Sequence, residues 1–102
     1  MGIINIVLED ENGEPIEQVE GRVYLLSQFL PYEDQSSQCL RFIDPYGDTV
    51  FNSLQMKPFI AEWEQVANKA KTEEEKTLAE RVKNLAERCR REPHLYLKFY
   101  GD

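Results

Sequence analysis

The chain has few of the residues from which catalytic and metal sites are usually built. It contains one histidine and two cysteines among 102 residues. It also lacks a glycine-rich phosphate loop, a Gly-x-Ser-x-Gly nucleophile motif and a His-Glu-x-x-His zinc motif. We therefore predict no cofactor and no metal ion, and we assign no catalytic residue from motifs.

Long apolar runs and secretion signals are also missing. The longest apolar run, over residues 23–30, is interrupted by Ser27 and Gln28, whereas a membrane span needs about 20 residues. The N-terminal apolar stretch follows no positive charge and leads to no small-residue cleavage site. Cys39 and Cys89 are too few for a disulfide framework, as is usual in a reducing compartment. We therefore expect a cytoplasmic protein with no membrane partner.

Basic residues are scarce in the first two thirds of the chain. Residues 1–66 contain 12 acidic and 3 basic side chains, a local charge of −9, whereas residues 67–102 contain 7 acidic and 9 basic ones. Binding to DNA or RNA depends on lysine and arginine side chains that neutralise phosphates. The charge distribution therefore argues against a nucleic-acid partner and favours a basic protein partner.

The remaining composition is that of a folded chain. Apolar residues make up 41% and aromatic residues 11% of the sequence, which is enough for one hydrophobic core at this length. No repeat or low-complexity stretch divides the chain. We predict a single α+β domain over residues 1–102.

The first part of the chain is typical of a β-hairpin. Residues 3–8 are apolar on both faces of an extended chain, which predicts an interior strand. Asn12-Gly13 tolerates the positive φ angles of a tight turn. The returning segment is predicted over residues 16–26, with an interruption at Gly21.

A second hairpin is predicted further along the chain. Residues 32–38 are polar and are expected to form an exposed loop. Strands are predicted over residues 39–44 and 49–51, joined by a turn that contains Pro45 and Gly47. These two short strands should pair with each other.

The apolar spacing then changes to a helical period. A first helix, with Pro58 in its first turn, is predicted from the apolar residues between Phe59 and Ala70. Thr72 and Glu75 form a capping box at the start of a second helix. The buried stripe of this second helix is predicted to contain Leu78, Val82, Leu85, Ala86 and Cys89.

The last segment, residues 95–100, alternates apolar and amphipathic side chains and predicts a half-buried strand. The predicted fold is α+β: a mostly antiparallel sheet of about four to six strands, two antiparallel helices packed on one face, and this C-terminal strand returning to the sheet. If the returning strand lies at a sheet edge, its unpaired backbone groups could form a homodimer with a second copy.

The single histidine leaves an enzymatic alternative open. A small hydrolase or transferase could use His94 with Asp44 or Asp48, or with a cysteine, if the fold brought them into one pocket. The competing interpretation is structural. Cys39 and Cys89 lie on apolar patterns typical of buried cysteine, and aspartates in a turn bond to nearby backbone amides.

Two loops combine exposed tyrosines with carboxylates and form a candidate partner-binding surface. Tyrosine offers a large contact area at low entropic cost, and carboxylates attract a basic partner. The competing interpretation is that Tyr46 packs under its own turn and that the acidic groups only keep the protein in solution. The candidate residues, called the acidic surface below, are Tyr32, Glu33, Asp34, Asp44, Tyr46 and Asp48.

These observations favour a small, cytosolic, non-catalytic protein-interaction domain. Such a domain would bind a protein partner through the acidic surface, as an adaptor, an inhibitor or an immunity-type protein does. The enzyme that uses His94 and the homo-oligomer that pairs edge strands are the two alternatives.

Overall fold

One antiparallel sheet and two α-helices make up the regular structure. The computed structural model describes residues 2–102. Its strands are β1 (Ile3–Glu9), β2 (Pro15–Gln18), β3 (Asp48–Phe51) and β4 (Tyr96–Gly101), and its helices are α1 (Met56–Lys69) and α2 (Glu73–Arg91). Three 3₁₀ helices cover Val23–Phe29, Leu40–Phe42 and Ser53–Gln55. The strand order is β2-β1-β4-β3, and all neighbours are antiparallel. The predicted α+β class is confirmed, with four strands.

The first hairpin forms where the sequence predicts it, but in its turn only Gly13, and not Asn12, has a positive φ. β1 pairs with β2, with Val7 opposite Gln18. The Asp10 carboxylate holds the turn because it accepts hydrogen bonds from the backbone N–H groups of Asn12 at 2.8 Å and Glu14 at 3.0 Å. Gly13 adopts a φ of +80°, a value that glycine adopts without a steric penalty.

The returning strand is much shorter than predicted. It ends at Gln18, and residues 23–26 belong to the 3₁₀ helix Val23–Phe29. The reason lies at Gly21, whose φ of +116° turns the chain out of the sheet direction. Val23 and Leu26 are then buried under the helices rather than paired in a strand.

The second predicted hairpin is wrong. Residues 40–42 form a 3₁₀ helix, and β3 pairs with β4 instead. The cause is the Glu62 carboxylate on α1, which accepts hydrogen bonds from the backbone N–H groups of residues 38–40 at 2.6 to 3.3 Å. These amides are therefore unavailable to a strand partner.

Both helices agree with the predicted patterns. At the start of α2, the Thr72 hydroxyl accepts from the Glu75 N–H at 3.1 Å, and the Glu75 carboxylate accepts from the Thr72 N–H at 3.2 Å. The predicted stripe from Leu78 to Cys89 is buried. Because only residues 70–72 separate the helices, they pack antiparallel against one face of the sheet.

An aromatic cluster joins these helices to the sheet. Phe59 and Trp63 of α1 stack with ring centroids 5.7 Å apart. The Phe51 ring of β3 lies 5.2 Å from Phe59, and the Phe99 ring of β4 lies 5.9 Å from Phe59 and 6.4 Å from Trp63. The buried Trp63 indole N–H donates to the Ala79 carbonyl of α2 at 2.9 Å. One side chain therefore connects both helices and the sheet.

The terminal strand lies inside the sheet. β4 pairs with β1 on one side and with β3 on the other. The prediction that it could occupy an edge is therefore wrong, and β2 and β3 are the edge strands. Leu95, Leu97 and Phe99 are buried against the helices, whereas Tyr96, Lys98 and Tyr100 point to the opposite face, called the outer face below.

Replacing Trp63 by phenylalanine should lower the free energy of unfolding by about 2 kcal/mol, because it removes a buried hydrogen bond and leaves a partial cavity. Urea denaturation followed by circular dichroism measures this change. Leu54→Ala is the control, since Leu54 is 87% exposed and its truncation should leave stability unchanged. A Trp63→Phe protein as stable as the parent would contradict a central role of this ring.

Candidate functional site

The acidic surface extends from the outer face of the sheet to the side of α1. Asp48 lies opposite Tyr100 on the outer face, and Asp34 lines a shallow pocket with Gln65 and Lys69 of α1. All six candidate residues are exposed. They are therefore accessible to a partner but form no single pocket.

The turn part of the surface is held by backbone contacts. The Asp44 carboxylate accepts from the Tyr46 N–H at 2.8 Å, and the Asp44 N–H donates to the Thr49 hydroxyl at 2.9 Å. The turn lies directly on the end of β4, where Gly101 N–H donates to the Gly47 carbonyl at 2.7 Å. A Cβ at Gly101 would approach the Asp44 carbonyl oxygen to 2.5 Å, so only glycine fits there.

Tyr46 does not pack beneath its own turn, as the structural interpretation would require. Its side chain is 68% exposed. Tyr32 is more sheltered, at 38% exposed. Burial and the negative charge of nearby Asp44 both raise the pKa of Tyr32, so the loop and the turn lie near each other at this point.

The loop part of the surface contains its own turn. The Asp34 carboxylate accepts hydrogen bonds from the Ser36 hydroxyl at 2.6 Å and from the Ser36 N–H at 2.9 Å. These bonds lower the pKa of Asp34. Asp34 and Asp44 thus have the local structural roles that turn aspartates usually have, whereas Glu33 and Asp48 hold no turn.

Glu62 anchors the loop to α1. Its carboxylate accepts from the Ser37 hydroxyl at 2.7 Å and from the N–H groups of Gln38, Cys39 and Leu40. The buried side of the loop is therefore pinned to the helix, while residues 32–36 remain exposed. Sequence reasoning missed this anchor because Glu62 lies on the polar side of α1, where a glutamate is expected in any case.

The exposed carboxylates of this surface have no ion-pair partner. Among the basic residues that the structure describes, none has a nitrogen within 4.0 Å of Glu33, Asp34, Asp44 or Asp48. Elsewhere, carboxylates pair with bases, as Glu64 does with Lys83 at 3.0 Å. Lys98 attracts Asp48, and Arg41 and Lys69 attract Asp34, only over longer distances, so the carboxylates of this surface form no direct ion pair with these bases.

The residues of the enzymatic alternative do not converge with the aspartates. His94 is exposed and precedes β4, whereas Asp48 lies opposite Tyr100 at the other end of that strand. Six residues of extended chain separate these ends by about 20 Å. His94 and Asp48 therefore share no pocket, and Asp44, which packs against Gly101, lies at the far end as well.

The cysteines are buried free thiols. Burial raises the pKa of Cys39 to about 11, with a contribution from the charge of Glu62. Burial likewise raises the pKa of Cys89 to about 11, and the Cys89 thiol donates to the Leu95 carbonyl at 3.4 Å. Cys89 therefore approaches the backbone near His94 from inside the core, where its side chain is buried.

Residues 2–102 contain neither a cluster of metal ligands nor a helix that could span a membrane. No three His, Cys, Asp or Glu side chains among them form a group that could hold a metal ion. Neither helix combines the length and the apolar character that crossing a membrane requires.

The outer face carries a polar network that sequence reasoning did not find. The Tyr100 hydroxyl donates to the Glu9 carboxylate, and the Lys98 ammonium lies 4.0 Å from Glu9 and 4.7 Å above the Tyr100 ring. The bond to Glu9, and then burial, raise the pKa of Tyr100. A groove of about 420 Å³ beside this network is lined in part by Val7 and Gln18. No local signal could reveal it, because 91 residues separate Glu9 from Tyr100.

Replacing Glu62 by glutamine should lower the free energy of unfolding by about 1 to 3 kcal/mol, because one carboxylate oxygen becomes a donor that faces backbone donors. Urea denaturation gives the loss, and the amide resonances of residues 38–40 should shift. Glu64→Gln is the matched control, since Glu64 lies two residues further along α1, is exposed and makes only a surface ion pair. Equal losses in the two variants would contradict the anchor.

Both thiols should resist iodoacetamide in the folded protein at neutral pH. Thiolate is the reactive form, and both pKa values of about 11 leave little of it. Mass spectrometry should detect double alkylation only after urea is added. Alkylation of the native protein as fast as that of free cysteine would contradict this result and restore a catalytic thiol as a hypothesis.

Comparisons with known proteins assign no family. No protein-family model, curated protein or solved structure matches this chain. We therefore infer the function from the geometry and charge of the acidic surface.

Proposed function

We propose that this protein is a small, cytosolic, non-catalytic interaction domain that binds a basic region of a protein partner through the acidic surface. An adaptor, an inhibitor and an immunity-type protein all act in this way. The observation that carries the proposal is the set of exposed carboxylates at Glu33, Asp34, Asp44 and Asp48 without a basic nitrogen within 4.0 Å.

The charge supports a steering role. Exposed carboxylates that form no direct ion pair create a negative potential that attracts cationic partners and raises the rate of association. The same potential repels the phosphate backbone of a nucleic acid. A protein that presents lysine and arginine side chains is therefore the partner whose charge complements this surface.

The tyrosines supply contact area beside that charge. Tyr46 is 68% exposed and Tyr32 is 38% exposed. An exposed aromatic ring with a polar hydroxyl can be buried against a partner at low entropic cost, and tyrosine is enriched among residues that dominate binding energy. Attraction by charge and burial of tyrosine rings thus act together at one surface.

Two observations support the remaining parts of the proposal. The separation of His94 from Asp44 and Asp48 favours a non-catalytic role. Cys39 and Cys89 are free thiols, which fits the reducing conditions of the cytosol.

Reversing two charges should abolish partner capture. Glu33→Lys combined with Asp48→Lys leaves the turns intact, because neither carboxylate accepts a hydrogen bond from the described residues. The immobilised parent protein should retain a partner from a lysate of the source cells at low salt and release it at high salt. The double variant should retain at least about tenfold less of that protein by quantitative mass spectrometry.

The matched control is Glu11→Lys combined with Glu80→Lys, which changes the net charge equally. Glu11 lies in the β1–β2 turn and Glu80 lies on α2, away from the acidic surface. This variant should retain the partner as the parent does. If no protein is retained at low salt, or if both double variants lose it equally, the acidic surface is not a specific binding site.

A further inference from the structure

β3 has one edge that carries no strand. It is the last strand in the order β2-β1-β4-β3. The register with β4 continues to Gly47 and Gly101, where the Gly101 N–H donates to the Gly47 carbonyl at 2.7 Å. Directly opposite residues that exchange hydrogen bonds alternate with pairs that do not. Thr49 and Phe51 therefore bond to β4, whereas the N–H and C=O groups of Asp48 and Val50 point away from the sheet.

The residues that carry these outward groups are exposed. Asp48 is exposed and Val50 is 50% exposed. No other described residue forms a backbone hydrogen bond to them. The edge thus offers two donors and two acceptors in the spacing of a β-ladder, which is the arrangement that an added strand uses.

Exposed apolar side chains lie in the chain segments before and after β3. Leu54 is 87% exposed in the 3₁₀ helix that follows β3, and Phe42 is 58% exposed in the 3₁₀ helix that precedes the turn. The two helices lie side by side, since the Cys39 sulfur is 3.7 Å from the Gln55 carbonyl oxygen. Phe42 and Leu54 are therefore available to apolar groups of an incoming chain.

The other edge strand is less suited to strand addition. β2 begins with Pro15, which has no N–H to donate, and a proline on an edge strand protects it from pairing. Its Glu17 carboxylate already forms an ion pair with Arg88 of α2, with a nitrogen–oxygen distance of 3.4 Å. Only Ile16 is a large exposed apolar residue there.

From this arrangement we infer that the free edge of β3 receives an extended segment of a basic partner as a fifth strand. The negative charge beside this edge favours a basic partner over a second copy of this chain. Asp44 and Asp48 border the edge without a base within 4.0 Å, so lysine or arginine opposite Asp48 is favoured. A second copy of this chain would instead bring a net charge of −7 against another of −7 and place like charges together.

This inference rests on the proposed function and adds the mode of binding. The probe is an acetylated and amidated hexapeptide of alternating lysine and valine. We assign this added strand an antiparallel orientation, as in the rest of the sheet. Residues opposite Asp48 and Val50 then form the hydrogen-bonded pairs of the new ladder, so lysines on the side of Asp48 direct their own N–H groups toward β3. Binding should shift the ¹⁵N–¹H resonances of Asp48 and Val50 in a titration.

Two methylated peptides separate strand addition from simple charge attraction. N-methylation of the lysines removes the donors that face β3 and should weaken binding at least about tenfold. N-methylation of the valines keeps the same charge and should leave binding close to that of the parent peptide. Equal affinity of the two methylated peptides would overturn the inference.

A protein variant tests the same edge from the other side. Val50→Pro removes an N–H that points away from the sheet and breaks no hydrogen bond within it. Gln18→Pro is the matching variant on β2. Because the Val19 N–H donates to the Ile6 carbonyl, the N–H of the neighbouring Gln18 points away from β1. Only Val50→Pro should lose the peptide, with folding of both variants checked by circular dichroism. Equal binding to both would contradict the assignment to β3.

The outcomes distinguish this inference from the function on which it rests. If Val50→Pro still captures the cellular partner that Glu33→Lys with Asp48→Lys loses, the acidic surface binds but strand addition is wrong. If light scattering shows a dimer of the parent protein that Val50→Pro converts to a monomer, a second copy occupies the edge and the basic partner is excluded there.

Discussion

The placement of β4 between β1 and β3 is the constraint on which the rest of the structure depends. Its backbone forms hydrogen bonds with both neighbouring strands, and its inward-facing Phe99 belongs to the aromatic cluster. The turn at residues 44–48 rests on Gly101, where no side chain fits. Since Ile3 pairs with Gly101, the central pair of strands, β1 and β4, forms only when these distant residues meet. Such a non-local contact is costly in loop entropy.

This placement also determines which surfaces remain available. With β4 in the interior, β3 becomes an edge, and its outward backbone groups lie beside Asp44 and Asp48, which form no direct ion pair with a described base. Glu62 completes the arrangement because it binds the amides of residues 38–40 and keeps that segment from pairing with β3. One carboxylate of α1 thus holds amides that a strand beside β3 would need.

The candidate site was only partly predictable from the sequence. The exposure of Tyr32, Tyr46 and the turn aspartates follows from local turn chemistry, and the structure agrees. The network of Glu9 and Tyr100 was not predictable, because its partners lie 91 residues apart. Contacts between residues so far apart in sequence depend on the strand order, which the hydrophobic period and the turn signals do not encode.

The sequence by itself determined the elements whose causes are local: the Asn12-Gly13 turn, the capping box at Thr72, the buried stripe of α2 and the uneven charge. Only the tertiary structure decided that residues 39–44 do not form a strand and that β4 lies inside the sheet. Both outcomes depend on which distant group satisfies a backbone amide. Short apolar segments can satisfy their amides in several ways, and packing against the rest of the chain selects one.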